Sequence, residues 1–175
     1  SSDVCSSDLT CVEEYLAVLN WSIEQKQYPV AIRVPGMKVI HRSAKFATDY
    51  SDINKFRLEK QGKKIALIGV GNFYERAEKV AELLATKGIE ATLINPLYLT
   101  GIDTEMLESL KKDHTVVVTL EDGILDGGFG EKIARFYSDS SMKVLVRGLK
   151  KEFYDRYNAQ ELATANRLQP EQIVE

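Results

Sequence analysis

The sequence predicts an α/β fold, a three-layer α/β/α sandwich built on a mainly parallel sheet. Four short segments are almost wholly apolar or β-branched, which is typical of strands buried on both faces. A helical pattern with one apolar face follows each of them. Alternation of buried strands and amphipathic helices indicates a sheet covered by helices on both sides.

The four predicted strands span residues 65–70, 89–94, 115–120 and 143–146. The apolar positions of the intervening helices are Phe73, Ala77, Val80, Ala81 and Leu84; then Met106, Leu107 and Leu110; then Ile133, Ala134 and Tyr137. Gly88 is predicted to end the first helix, and Asp103 to cap the second. Two short helical pieces are expected at 159–163 and 170–174. These elements define a predicted domain over 63–175.

The amino-terminal part shows a different organisation. Thr10 and Glu13 form a predicted capping box for a helix, with apolar residues at helical spacing after it. Residues 29–34 are predicted to form a further buried strand. The polar segment 37–62 is predicted to be a linker or crossing segment, and it is the best candidate for a domain boundary.

Residues 1–9 are predicted to be a non-native or disordered leader. They nearly repeat Ser-Ser-Asp, show neither helical nor strand periodicity, and resemble a translated sequencing adapter. A disordered natural terminus is the alternative. Ordered structure is therefore expected from Thr10. Because the first residue is not Met, we also expect the chain to be the end of a longer protein.

Composition argues against several classes of function. The net charge of −3 comes without a long basic cluster, which disfavours nucleic-acid binding. Neither an apolar run of roughly 20 residues nor a signal peptide is visible, so a soluble chain in a reducing cytosol is expected. Two cysteines, Cys5 and Cys11, and two distant histidines, His41 and His114, make a disulfide framework or a metal site improbable.

Two glycine-containing turns are candidate binding sites. Gly69 and Gly71 lie between a strand and a helix, but Tyr74 occupies the third glycine position of a dinucleotide fingerprint, so a plain tight turn is favoured. The backbone amides of residues 127–130 could hold an anion at the start of a helix. Close packing of this glycine-rich turn against a neighbour is the favoured alternative.

Three charged residues are candidates for a chemical or binding role. Glu121 and Asp122 follow a strand's carboxyl end, where they could serve acid–base or metal chemistry, although capping or an ion pair is favoured. Arg33 ends an apolar strand, and its planar fork suits a phosphate, a substrate carboxylate or an internal ion pair equally well. The sequence offers no Ser/His/Asp triad, Walker loop or metal-ligand cluster, so we assign no catalytic residue, cofactor-binding residue or metal ligand.

Five segments together resemble thiamine-diphosphate enzymes of the transketolase type. Residues 28–36 are similar to the end of their pyrimidine-binding domain. Residues 65–71 and 88–94 are similar to the start of their carboxy-terminal domain. Residues 117–123 and 127–130 are similar to the Glu-Glu-Gly and Gly-Gly-Phe-Gly signatures. The family of 1-deoxy-D-xylulose-5-phosphate synthases is the most similar, and the order of the segments is more specific than any one of them.

The resemblance implies a domain division and a reaction. Residues 10–36 would be the tail of the pyrimidine-binding domain, 37–62 a linker, and 63–175 a transketolase-like carboxy-terminal domain. Such enzymes use thiamine diphosphate and Mg²⁺ to transfer a two-carbon unit from pyruvate to glyceraldehyde 3-phosphate, for isoprenoid and thiamine precursor synthesis. Their cofactor motifs lie upstream, so this fragment is expected to be inactive and free of cofactor.

The resemblance also implies one site residue and one partner. Arg33 matches the arginine that contacts the sugar-phosphate substrate in relatives, and the family's carboxy-terminal domain helps to form a homodimer. The sequence departs from the synthases where Val34 replaces the Tyr of their Tyr-Pro-Arg-Gly, and at Leu97 and Thr100. A transketolase half with another acceptor, or a non-catalytic interaction domain, therefore remains an alternative.

Overall fold

The computed structural model describes residues 5–34 and 40–175. The predicted strand end at Pro35 and Gly36 and the first residues of the predicted linker lie outside these ranges. The strands are β1 Cys5–Asp8, β2 Val30–Arg33, β3 Arg57–Lys60, β4 Lys64–Gly69, β5 Thr92–Asn95, β6 His114–Ile124 and β7 Lys143–Leu149. The α-helices are α1 Val12–Glu24, α2 Tyr74–Thr86, α3 Thr104–Leu110, α4 Phe129–Phe136, α5 Ala159–Ala165 and α6 Pro170–Val174.

A five-stranded sheet in the order β3-β5-β4-β6-β7 forms the centre of the molecule. Strands β4 to β7 are mutually parallel, and β3 alone in this sheet runs antiparallel, against β5. The four predicted parallel strands are therefore confirmed, and so is the α/β fold class. β6 is longer than predicted, because its pairing with β7 continues past Leu120 to Ile124.

Both faces of the parallel part of this sheet are covered, which explains why the central residues of β4, β5 and β6 are almost wholly apolar or β-branched. Leu67 packs with α2, α5 and the chain before α6, in a cluster that includes Ala77, Val80, Leu84, Ala163 and Leu168. Its neighbours Ala66 and Ile68 point to the other face and pack with Leu107 of α3 and Ile133 of α4. Successive residues of one strand thus serve two different cores.

The antiparallel strand β3 lies within residues 37–62, which the sequence predicts to be a linker or crossing segment, and the last part of that segment is therefore a strand. Its sequence, Arg57-Leu-Glu-Lys60, is charged and has no strand-like pattern. It becomes a strand because β5 offers an unpaired edge, and Arg57 and Leu58 pair there with Asn95 and Ile94. The sheet therefore includes the last residues of the predicted linker. The division of the chain into domains stays a prediction.

The amino-terminal elements form a second, smaller unit. β1 and β2 make a parallel two-stranded sheet next to α1, and a third apolar cluster holds Leu9, Val18, Trp21, Tyr50 and Tyr98. The prediction that residues 1–9 are disordered is wrong for residues 5–9, since Cys5–Asp8 pairs with Val30–Arg33 and Leu9 is buried. Pairing with a distant strand supplies order that local periodicity does not reveal. The other part of the prediction, that this leader is non-native, stays a prediction.

The start of α1 is stabilised by a different glutamate from the one predicted. The Thr10 amide and hydroxyl both donate to the Glu14 carboxylate, at 2.8 and 2.9 Å. Glu13 instead accepts hydrogen bonds from the amide of Arg42 and from the His41 ring. The Arg42 amide, followed by the His41 contact, lowers the pKa of Glu13 to about 2. The predicted Thr10–Glu13 capping box is therefore wrong by one residue.

The remaining helix predictions are confirmed. Asp103 caps α3 by accepting from the Met106 amide at 3.1 Å, and α2 ends just before Gly88, which has a positive φ of 76°. The two short helical pieces appear as α5 and α6. Among the helices of the described residues, none has the length and apolar character that crossing a bilayer requires.

Candidate functional site

Arg33 is the last residue of β2, and two carboxylates bind its guanidinium. Its Nη1 and Nη2 donate to Oδ1 and Oδ2 of Asp122, each at 2.7 Å, in a two-pronged ion pair. Nη1 also donates to Asp8 Oδ2 at 2.6 Å. The Arg33 side chain nevertheless keeps 50% of its surface exposed. The predicted arginine is therefore paired, and it is still within reach of a ligand in solution.

A cleft of about 360 Å³ surrounds this ion pair. It lies at the carboxyl ends of β4 and β6, where open α/β sheets usually bind ligands, and residues 121–124 line it from within β6. The structure brings three of the predicted features together there: Arg33, the pair Glu121 and Asp122, and the glycine-rich turn. The described residues that line it are Asp8, Arg33, Val70, Leu99, Glu121, Asp122, Gly123, Ile124, Asp126, Gly127, Gly128, Phe129 and Lys132.

The electrostatics of the cleft are dominated by acidic groups. Four acidic and two basic residues stand among its described lining residues. The hydrogen bonds from Arg33 to Asp122 raise the pKa of the guanidinium above its ordinary value, so this arginine is always charged. Burial raises the pKa of Asp8 to about 6, although the nearby Arg33 opposes the rise. An anion entering the cleft meets one accessible guanidinium among several carboxylates.

The glycine-rich turn already holds an anion, and that anion is Glu121. The amides of Phe129 and Gly130, at the start of α4, donate to the two Glu121 carboxylate oxygens at 2.8 and 2.9 Å. Burial raises the pKa of this carboxyl, and the two amides oppose the rise. Capping or an ion pair is the favoured prediction for Glu121 and Asp122; Glu121 binds amides at the start of α4, and Asp122 pairs with Arg33. The amides that an external anion would need are therefore occupied by the protein's own side chain.

Close packing also explains why glycine is needed at two of these positions. A Cβ atom at Gly130 would lie 2.2 Å from Val146 Cγ1, and one at Gly69 would lie 2.7 Å from the Tyr74 Cα. Gly71 has a positive φ of 52°, which a side chain would disfavour. The tight-turn interpretation of Gly69 and Gly71 thus has a direct structural basis. Both turns bring a helix close to the sheet.

Lys132 was not singled out from the sequence, and it lines the same cleft. Its Nζ donates to the carbonyl oxygens of Leu99 and Thr100 at 2.5 and 3.3 Å. The ammonium group is therefore bound to backbone. No sequence signal identifies it, because the carbonyls it contacts lie more than 30 residues earlier in the chain.

The histidines do not contribute to the cleft. His114 is buried, with its ring nitrogens 2.7 Å from Thr92 Oγ1 and 3.1 Å from the Leu110 carbonyl. His41 lies on the surface against Glu13. Within the two described ranges, we find no group of three or more His, Cys, Asp or Glu side chains placed to hold a metal ion.

A larger cleft of about 820 Å³ lies on the other side of Asp122, between α2 and the carboxy-terminal helices. Its two cations serve the fold. Arg76 donates to the Leu168 carbonyl at 2.9 Å, and Lys79 pairs with Glu75 at 3.4 Å. The smaller cleft, with the exposed guanidinium of Arg33, is therefore the better candidate site.

Comparison with known proteins identifies relatives of this chain. The family model "Transketolase, C-terminal domain" matches residues 54–173. The 1-deoxy-D-xylulose-5-phosphate synthase of Clostridium acetobutylicum is 33% identical over 159 residues, 85% of this chain and 24% of the relative. The synthase of Clostridium botulinum (strain Alaska E43) is 33% identical over 165 residues, 93% of this chain and 26% of the relative. The chain thus spans about a quarter of the length of these relatives.

Solved structures share the fold. A chain described as a split gene transketolase, inactive beta4 tetramer, matches with a TM-score of 0.81 at 22% identity, over 98% of this chain and 55% of that one. The R525L mutant of transketolase from Pichia stipitis matches with a TM-score of 0.71 at 15% identity, over 98% and 24% of the two chains. The prediction of a transketolase-like carboxy-terminal fold is confirmed.

Proposed function

The chain belongs to the transketolase carboxy-terminal domain family, and from this premise we propose that it is the carboxy-terminal part of a thiamine-diphosphate-dependent transferase. The transferase is a 1-deoxy-D-xylulose-5-phosphate synthase, which condenses pyruvate with glyceraldehyde 3-phosphate. The similarity to synthases over 85–93% of this chain supports this choice. The product would serve isoprenoid and thiamine precursor synthesis.

The position of Arg33 is the observation that supports a substrate-binding role for this chain. The guanidinium stands half exposed at the end of β2, in a cleft at the carboxyl edge of the sheet. A planar fork of N–H donors matches the oxygens of a phosphate, and charge-assisted bonds of this kind are about twice as strong as neutral ones. Arg33 would therefore bind the phosphate of the acceptor substrate.

This role is one of binding and orientation. Holding the acceptor by its phosphate end fixes where its carbonyl end lies, which lowers the entropic cost of reaction. Arg33 would do this without touching the atoms that react. We assign no catalytic residue to this chain.

Replacement of Arg33 by methionine tests the assignment in the longer protein that contains this chain. We expect kcat/KM with glyceraldehyde 3-phosphate to fall roughly 100-fold, the loss of a charge-assisted hydrogen bond of about 2–3 kcal/mol. The constants for unphosphorylated glyceraldehyde should not change. Arg135→Met, at an exposed arginine of α4, is the matched control. Equal losses with both acceptors, or no loss, would show that Arg33 does not bind phosphate.

The cofactors, thiamine diphosphate and Mg²⁺, would bind to the longer protein and not to this chain. Thiamine diphosphate supplies the site that carries the transferred two-carbon unit. The donors seen here do not fit it: the amides of the glycine-rich turn bind Glu121, and Lys132 binds carbonyl oxygens. No step of the reaction is therefore assigned to cofactor contacts from these residues.

A thermal-shift measurement checks this expectation on the 175-residue chain. A ligand present at about 100 times its dissociation constant stabilises a protein by roughly 2.7 kcal/mol, which raises the melting temperature by several degrees. We expect no shift when thiamine diphosphate and Mg²⁺ are added together. A clear, saturable shift would place a cofactor site on this chain.

We also propose that the longer protein is a cytoplasmic homodimer. The tetramer described for the split gene transketolase supports self-association in this fold family. The buried free thiol of Cys11 is compatible with a reducing compartment.

A further inference from the structure

Asp122 binds the Arg33 guanidinium with the same two-pronged geometry that a phosphate would use. Both of its carboxylate oxygens accept hydrogen bonds from the two terminal guanidinium nitrogens, at 2.7 Å each. A phosphate uses the same two-pronged geometry on an arginine. Asp122 and a bound phosphate therefore need the same donors and cannot both have them.

We propose that Asp122 sets the affinity of this site, as an internal competitor that the acceptor's phosphate must displace from Arg33. This inference rests on the proposed function of Arg33. Competition of this kind weakens the binding of every anion at the site. The factor is the same for every anion, so only anions with a strong intrinsic affinity for the guanidinium still bind appreciably.

The structure leaves Asp122 room to move away from Arg33. Residue 122 lies between Leu120 and Ile124, where the register of β6 against β7 shifts. Its side chain keeps 20% of its surface exposed, so it can turn toward solvent when a ligand arrives. Asp8 contacts only one nitrogen of Arg33 and is almost fully buried, so it is not the group that leaves.

Dianionic phosphate monoesters are the anions expected to overcome this cost, and carboxylates are not. A phosphate monoester loses its second proton with a pKa near 6 and carries close to two charges at neutral pH. It interacts more strongly with the guanidinium than a carboxylate does. A sugar acid carries one charge, as Asp122 does, and would gain nothing by the exchange. The site would thus admit phosphorylated acceptors and reject sugar acids.

Binding of inorganic phosphate to the 175-residue chain and to its Asp122→Asn variant tests the inference. Calorimetry gives the dissociation constant, and NMR of the Arg33 side chain shows where phosphate binds. We expect the variant to bind about tenfold more tightly, equivalent to roughly 1.4 kcal/mol. Asp126→Asn is the matched control. It removes one charge from the same cleft, where Asp126 faces Lys151, and should change the affinity by less than about twofold.

The outcomes separate the two proposals. Equal affinities for the parent chain and Asp122→Asn, both abolished by Arg33→Met, would overturn the competitor role and leave the phosphate role of Arg33 intact. Binding that survives Arg33→Met in both backgrounds would overturn both. If Asp122→Asn does not fold, as judged by circular dichroism, Asp122→Ser should give the same gain, because loss of the charge is the cause.

Discussion

Replacement of Glu14 by alanine is expected to lower the free energy of unfolding by about 3 kcal/mol. Glu14 is fully buried in α1, and its carboxylate contacts three parts of the structure. Arg57 of β3 lies 2.8 Å away, Asn95 of β5 donates at 3.3 Å, and the Thr10 amide and hydroxyl donate at 2.8 and 2.9 Å. The substitution would leave all of these donors without their acceptor.

The size of this loss in stability depends on how far the Arg57 guanidinium is left unpaired and away from water. Arg57 keeps about a third of its side chain exposed and also contacts Glu59, which places the expected loss at the lower end of the range for buried ion pairs. Glu14→Gln should cost roughly half as much, because the amide oxygen can still accept hydrogen bonds.

Urea unfolding of the 175-residue chain measures the Glu14 effect. Glu24→Ala is the control, since Glu24 is exposed at the other end of α1 and should change stability by no more than about 0.5 kcal/mol. A loss below about 1 kcal/mol for Glu14→Ala would mean that the network contributes little and that α1 is only loosely joined to the large sheet.

Replacement of Gly130 by alanine is the second change expected to have a large effect. The new Cβ would lie 2.2 Å from Val146 Cγ1 and 2.5 Å from Thr119 Oγ1, so α4 would have to move away from the sheet. That movement would lengthen the 2.9 Å hydrogen bond from the Gly130 amide to Glu121. Overpacking costs about 1–3 kcal/mol, and the weakened bond to a charged group adds to it, so we expect a loss of roughly 3 kcal/mol.

Gly123→Ala is the matched control for this second change. A Cβ there would have its nearest contact at 3.7 Å, an ordinary separation, and Gly123 does not have a positive φ. Its stability should stay within about 0.5 kcal/mol of the parent chain in the same urea experiment. Should Gly130→Ala prove as stable as Gly123→Ala, close packing would not explain the glycine.

The sequence predicts the strands whose composition reflects burial on both faces. β4 and β6 are apolar because both of their faces are covered, so composition alone identifies them. β3 and β1 could not be found this way. Their residues are mostly polar or charged, and each becomes a strand only because a partner from a distant part of the chain, β5 or β2, offers hydrogen bonds.

In the candidate site, too, local sequence patterns identify some residues and miss the partners that are distant in the chain. Arg33 stands out in the sequence because a charge at the end of an apolar strand needs a partner. Its partner Asp122 lies 89 residues away, and no local pattern connects the two. The prediction that Glu13 pairs with Thr10 is wrong for a related reason, since Glu14 takes that place. Spacing predicts the nearer glutamate, whereas Arg57 and Asn95 draw Glu14 into the interior.

The Glu14 contacts also have a consequence for how such proteins can be recombined. The helix that carries this carboxylate precedes the residues matched by the family model, 54–173, while Arg57 and Asn95 lie within them. A chimera that joins the first 50 residues of one relative to the sheet of another should fold well only if both parents have compatible groups at these three positions. Crossover points between residues 14 and 57 would therefore separate partners that have to be inherited together.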